Sequence, residues 1–155
     1  MFLISILKNP IFYPVLITSI VAQTLKFVIE IIKNKNVNFK YLISTGGMPS
    51  SHSAMVMSLV TTLALNDPQG VNTKIFAVTL TFALIVMYDA ANIRRSAGEH
   101  AALLNKLNKV IQSSNDEIKL NKNDLKEVLG HTPLEVGAGA LLGIFLSILI
   151  DKIVK

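Results

Sequence analysis

Residues 73–91 read TKIFAVTLTFALIVMYDAA, an apolar run that contains a single acid and a single base. A helix needs about 20 predominantly apolar residues to cross the hydrocarbon core of a bilayer. Comparable blocks run from Ile11 to Ile32 and from Leu134 to Ile150, and a shorter one extends from the Pro49–Ser51 region to Leu65. The pattern predicts an all-α membrane bundle of about four short apolar helices.

The composition supports contact with lipid rather than a soluble fold. Of 155 residues, 51% are hydrophobic and 16% are charged, whereas soluble domains carry about 25% charged residues. Too few charges remain to cover a soluble surface, and the length predicts one membrane-embedded domain over residues 1–155. The chain has no cysteine, which excludes disulfides, thiolate metal sites and a cysteine nucleophile.

The net charge is +5, and the basic residues that produce it lie beside the apolar blocks. Basic residues at such positions fix topology or contact anionic headgroups. Aromatic residues do not interleave with a basic stripe, so the partner is expected to be the bilayer and not nucleic acid. Four crossings place the loops after the first and third segments on one side. Those loops contain Lys33, Lys35, Lys40, Arg94, Arg95, Lys106, Lys109, Lys119, Lys122 and Lys126. The positive-inside rule therefore predicts that these loops are cytoplasmic, unless the second segment is re-entrant.

Polarity also predicts the character of three further segments. Residues 97–110 have apolar side chains at helical spacing, which predicts an amphipathic helix lying on the membrane or against the bundle. Residues 113–123 are predicted to form a loop. The short apolar run over residues 2–7 has no cleavage site of small residues after it, so it is expected to be retained.

The predicted topology gathers polar groups at one membrane face. Lys26 lies near the end of the first segment, His52 begins the second, Arg94 follows the third, and His131 and Glu135 begin the fourth. Cations neutralise phosphoryl oxygens, and a Gly/Ser-rich loop that opens a helix offers N–H groups to an anion. One histidine can attack phosphorus while the other protonates the leaving oxygen. The four-residue spacing from histidine to glutamate allows the carboxylate to orient the imidazole.

At these residues the chain resembles a known family. Residues 48–54, MPSSHSA, resemble the Pro-Ser-Gly-His motif of the type 2 phosphatidic acid phosphatase superfamily, which includes vanadium haloperoxidases. The chain is similar in particular to a divergent branch of small bacterial and plant membrane proteins. That branch shares Asp-Ala…Arg-Arg-x-Ala-Gly, here residues 89–98, and Leu-Gly-His-x-Pro-x-Glu-Val…Gly-Ala-Leu-Leu-Gly, here residues 129–143. The resemblance covers residues 26–143.

The resemblance implies a metal-independent hydrolase of a phosphoric monoester or diphosphate, without a cofactor, acting on a lipid or prenyl (pyro)phosphate in a bacterial cell membrane. It implies a role for each matching residue. His131 would be the nucleophile, His52 the general acid, Glu135 the partner of the nucleophile, and Lys26, Ser50 and Ser51 phosphate ligands, with Ser51 in place of the usual glycine. The site would lie on the cytoplasmic side, and the small bundle is compatible with a homo-oligomer.

The chain also departs from the superfamily pattern. The Arg-Pro of the first motif reads Lys33-Asn34, and the arginine of the third motif falls on Leu125. Lysine provides a point charge rather than a planar clamp, so Arg94 or Arg95 is the candidate for the missing guanidinium.

Other readings of these residues remain open at the level of sequence. His52 could be a surface histidine, Lys26 could extend to the headgroups or pair with Glu30, and Arg94 with Arg95 could only anchor the topology. A non-catalytic protein that binds or transports an anionic lipid or phosphate would need the same cations. A structural subunit that docks through residues 96–126 is the third alternative.

Overall fold

The computed structural model describes residues 8–37, 46–114, 125 and 130–155, and over these ranges the regular secondary structure is helical. The helices are α1 (Phe12–Asn34), α2 (Ser51–Asn66), α3 (Lys74–Ala91), α4 (Ile93–Ser114) and α5 (Pro133–Val154), with a 3-10 turn at Gly70–Asn72 before α3. The all-α prediction is confirmed. The predictions for residues 2–7, for Lys40, and for residues 115–123 and 126 lie outside the described residues.

The helix bounds agree with the sequence patterns except at α4. The amphipathic helix begins at Ile93, directly after α3, and continues to Ser114. The apolar repeat becomes visible only at Ala97, because the first turn of α4, residues 93–96, contains a single apolar residue, Ile93. The predicted loop therefore begins later than expected, since Ser113 and Ser114 belong to the helix.

Within the described ranges, three helices are long and apolar enough to cross a membrane: α1, α5, and the apolar part of the Lys74–Ile111 stretch that begins with α3. The central helix, α2, is not among them, since it has 16 residues and a length of about 24 Å. It packs against α1, α3 and α5. Most of its side chains are buried or half-buried among these neighbours, and this accounts for a short apolar segment in the middle of the bundle.

The distribution of side chains is that of a membrane bundle. The residues buried between α1, α2 and α5 are mostly small or carry hydroxyls, whereas large aliphatic and aromatic side chains face outward. Lipid tails are as apolar as leucine, so membrane helices associate through close contacts between small residues and through hydrogen bonds. The buried set includes Thr18, Ala22, Ser53, Ala54, Ser58, Gly139, Gly143 and Ser147.

Two glycines allow α2 and α5 to pack backbone to backbone. A Cβ atom built on Gly139 would collide with the carbonyl oxygen of Ser50, and one built on Gly143 would collide with that of Ala54. One turn further, the Ser58 and Ser147 hydroxyls are 2.7 Å apart. The contacts advance in the same direction on both helices, so α2 and α5 are parallel and their N-termini meet at one end of the bundle.

Candidate active site

His131 lies where α3 and α5 meet, just before the first turn of α5. Its side chain is almost fully buried, with 3% of the residue surface exposed. Its backbone N–H donates to the Ala90 carbonyl at the end of α3, at 3.0 Å. On the ring, Nδ1 lies 3.2 Å from Oε2 of Glu135, and the Gly47 backbone provides a second hydrogen bond. The imidazole is therefore fixed from several sides.

Glu135 has two roles that use the same oxygen. Its Oε2 accepts from the Thr132 backbone N–H at 3.0 Å, and the Thr132 hydroxyl accepts from the Glu135 N–H at 3.3 Å, which completes a capping box for α5. The same Oε2 faces Nδ1 of His131. A carboxylate at Nδ1 favours the tautomer that is protonated there and carries its lone pair on Nε2.

The environment of His131 favours its neutral form. Burial lowers the pKa of His131 below the ordinary value of 6.5, and the hydrogen bond and negative charge of Glu135 offset only part of this effect. A neutral imidazole is the form that can act as a nucleophile. The site can therefore supply this form at pH values where an exposed histidine is largely protonated.

The N-terminus of α2 faces His131. Ser50 is the N-cap, is completely buried, and donates its backbone N–H to the Glu135 carbonyl at 3.1 Å. Its Oγ accepts from the Ser53 hydroxyl at 3.0 Å. Ser51 and His52 follow in the first turn and are partly buried, and His52 is within electrostatic reach of His131. The N-terminus of α2, which carries His52, is thus hydrogen-bonded to the first turn of α5, which His131 precedes, and it brings the positive end of the α2 dipole to this region.

Lys26 does not extend to the surface. It is 1% exposed on α1 and interacts electrostatically with Glu30 and Glu135. Gly47 lies directly over it with a φ of 98°, and a Cβ there would be 3.2 Å from Lys26 Cε and 3.1 Å from Glu30 Oε1. Gly47 therefore needs both the conformational freedom and the small size of glycine, and the ammonium is held beneath the loop that leads to His52.

The two arginines have different surroundings, which the sequence did not reveal. Arg94 Nε is 2.7 Å from Oδ2 of Asp89, and its charge acts on His52. Arg95 Nε pairs with Oε1 of Glu99 at 3.0 Å along α4. Of the two candidates for the missing guanidinium, Arg94 is the one whose charge acts on an imidazole, that of His52.

Asn105 is a buried residue to which sequence analysis assigned no role. It is 5% exposed, its side-chain amide donates to the Leu125 carbonyl at 2.9 Å, and its side-chain oxygen accepts from the Leu125 N–H at 2.8 Å. Leu125, at the position of the superfamily arginine, is thereby tied to α4 while its side chain is 49% exposed. From sequence alone, an asparagine on the polar face of an amphipathic helix looks the same whether it faces solvent or, like Asn105, makes two hydrogen bonds to the backbone of another segment.

Comparison with known proteins agrees with the motifs. The model of the Divergent PAP2 family matches residues 7–146. A Bacillus subtilis (strain 168) protein described as "Uncharacterized membrane protein YuiD" is 42% identical over 139 residues, which is 84% of this chain and 87% of the relative. No solved structure matches the chain. With a family model that matches nearly its whole length, a similar membrane protein and three helices suited to spanning, the chain is an integral membrane protein that belongs to the Divergent PAP2 family.

Proposed function

We propose that the chain is a membrane phosphatase that hydrolyses a lipid or prenyl (pyro)phosphate through a phosphohistidine on His131. The observation that carries this proposal is the buried imidazole of His131, which Glu135 holds through Nδ1 beside the N-terminus of α2, the helix that carries His52. This arrangement combines an oriented nucleophile with a proton donor, which is the minimum that hydrolysis through a covalent intermediate requires.

The first chemical step forms the phosphoenzyme. Nε2 of His131 attacks phosphorus, the bond to the leaving oxygen breaks, and the imidazolium of His52 gives its proton to that oxygen. Burial and the positive charges of Arg94 and Lys26 lower the pKa of His52. The negative charge of a bound phosphate beside His52 acts in the opposite direction and favours its protonated form. In the second step the now neutral His52 removes a proton from water, the hydroxide oxygen bonds to phosphorus, the P–N bond breaks, and inorganic phosphate leaves.

The remaining polar groups would bind the phosphoryl oxygens. The N–H groups of Ser51 and His52 in the first turn of α2 precede the first intrahelical hydrogen bonds, so they are available to an anion. Lys26 and Arg94 provide positive charge, and each already faces a carboxylate. A bound phosphate would therefore compete with these carboxylates for Lys26 and Arg94.

The acid limb of the pH profile is expected to reflect His131. The pKa of His131 is lowered by burial and partly raised by Glu135, and the nucleophile works in its neutral form. The limb of kcat/KM, where activity is lost as pH falls through this pKa, should therefore have its midpoint below 6.5. Glu135→Gln, which can keep the capping box, should lower activity and move the limb to still lower pH. A limb above 6.5, or one that Glu135→Gln moves upward, would contradict this assignment.

We place the site on the cytoplasmic side of a bacterial cell membrane, as the positive-inside rule favours. Because the chain lacks cysteine, single cysteines at Lys35 and Lys74, near opposite ends of the bundle, can be labelled without background. A membrane-impermeant maleimide applied to intact cells should label the Lys74→Cys variant and not the Lys35→Cys variant. The reverse labelling would place the site outside.

The activity itself is tested by phosphate release from the purified protein in detergent. The wild type should release phosphate from a prenyl or diacylglycerol phosphate, vanadate should inhibit it, and His131→Ala and His52→Ala should each abolish most of the release. Equal release by all three proteins would rule out the proposed mechanism. Lipid binding that survives both substitutions, with no turnover by the wild type, would identify a non-catalytic binding protein instead.

A further inference from the structure

The corner between α3 and α4 contains two ion pairs. Asp89 pairs with Arg94 at 2.7 Å, and Arg95 pairs with Glu99 at 3.0 Å. All four side chains are partly exposed: 32% for Asp89 and 53% for Arg94 in the first pair, and 43% for Arg95 and 56% for Glu99 in the second. Exposed ion pairs stabilise a fold by about 1 kcal/mol or less, so stability alone gives neither pair a special role.

The backbone of this corner is attached to the residues around the nucleophile. The His131 N–H donates to the Ala90 carbonyl at 3.0 Å. Gly130 packs against the backbone of the two arginines, since a Cβ on it would be 2.8 Å from the carbonyl carbon of Arg94 and closer still to the Arg95 nitrogen. The corner and the His131 segment therefore form one packed unit, in which a shift of one displaces the other.

Of the two ion pairs in this unit, the first is the one whose arginine acts on the site. The Arg94 charge acts on His52 from α4, and Lys26 acts on the same imidazole from α1. Arg95 instead forms its ion pair one turn along its own helix. Arg94 is thus positioned at the same imidazole that would protonate the leaving oxygen.

The geometry of the Asp89–Arg94 pair leaves the arginine available to an anion. The hydrogen bond joins Nε to a single carboxylate oxygen, Oδ2. A guanidinium has five N–H donors in a rigid plane, so a carboxylate at Nε fixes that plane while the terminal amino groups keep their donors. Such a fork matches two oxygens of a phosphate, which a lysine cannot do.

We propose that Asp89 is a positioning residue that holds the Arg94 guanidinium as a bidentate clamp for the phosphoryl oxygens. This inference rests on the proposed function of the same site. Arg94 then supplies the planar donor that Lys33 and Leu125 cannot supply at the positions where the superfamily has arginine. Glu99 has no part in the clamp.

The test compares vanadate affinity and phosphate release for the full chain in detergent. Arg94→Lys keeps the charge and removes the fork, and it should weaken vanadate binding and lower kcat/KM by about tenfold or more, since one strong bidentate contact is lost. Asp89→Asn keeps an acceptor for Nε, so a smaller loss of roughly threefold to tenfold is expected. Glu99→Gln makes the same charge change on the neighbouring pair and should leave both quantities unchanged.

A double substitution separates positioning from general stability. If Asp89 acts through Arg94, Asp89→Asn combined with Arg94→Lys should be no worse than Arg94→Lys alone, because the two changes remove one interaction. Thermal unfolding of each variant reports any loss of fold independently. Additive losses, or Arg94→Lys with wild-type vanadate affinity, would overturn the inference.

The result also separates this inference from the proposed function. A wild type that neither binds vanadate nor releases phosphate would refute both. A wild type whose phosphate release depends on His131, but is insensitive to Arg94→Lys and Asp89→Asn, would refute the clamp alone.

Discussion

Replacement of His131 by glutamine is expected to reduce kcat for phosphate release by about a thousandfold or more, as removal of a covalent nucleophile does in other enzymes. Glutamine is close in size to histidine and retains a polar group near Glu135, but it lacks a nitrogen that can form the phosphoenzyme. The loss should appear in single-turnover measurements of phosphate release, and it should not be recovered by changing the substrate.

His52→Gln is the matched control for this substitution. A general acid typically contributes about 10²- to 10⁴-fold, and its contribution falls when the leaving group needs no proton. An aryl phosphate with an acidic phenol should therefore restore much of the rate to His52→Gln and little to His131→Gln. Restoration of both variants, or of His131→Gln alone, would reverse or refute the assigned roles.

Alanine at Gly139 or Gly143 is expected to destabilise the bundle and to remove most of the activity. A Cβ at either position meets a backbone carbonyl of α2, at Ser50 or at Ala54, and a carbonyl cannot rotate away as a side chain can. Overpacking of this kind costs about 1–3 kcal/mol. The shift of α2 that relieves it would also move His52 relative to His131, and a displacement of about 1 Å can cost about a hundredfold in rate.

Gly137 provides the control on the same helix, because a Cβ there meets nothing within 4 Å. Alanine has a higher helix propensity than glycine, by up to about 1 kcal/mol, so Gly137→Ala should leave the unfolding midpoint equal or raised and the activity unchanged. Thermal unfolding in detergent and kcat/KM are the measurements. Equal stability and activity for Gly137→Ala and Gly143→Ala would contradict the backbone-to-backbone packing of α2 against α5.

Local patterns allowed much of this arrangement to be predicted from sequence. The second apolar segment was expected to begin in the Pro49–Ser51 region, and α2 does begin there, with Ser50 as its N-cap. The four-residue spacing of His131 and Glu135 places both side chains at the first turn of α5, where the structure records their 3.2 Å contact. Interactions within one turn depend on few degrees of freedom, so the sequence constrains them strongly.

Contacts between distant segments were not predictable in the same way. The sequence could not distinguish Arg94 from Arg95, because the difference arises from the direction in which α4 leaves α3. It also could not show that Lys26 is buried beneath Gly47, since that contact joins α1 to the loop before α2. The sequence predicted that Arg94 and Lys26 lie near a membrane surface. Which side chains are enclosed depends on how α1, α2 and α5 pack.

The most direct test of the covalent mechanism is to trap the intermediate. Brief reaction with a substrate labelled with ³²P on the transferred phosphate, followed by an alkaline quench, should leave label on the protein that is stable to base and labile to acid, as a phosphoramidate is. Digestion should place this label on the peptide that contains His131. Steady release of phosphate by the wild type with no protein-bound label, or with label on another residue, would contradict the proposed phosphohistidine.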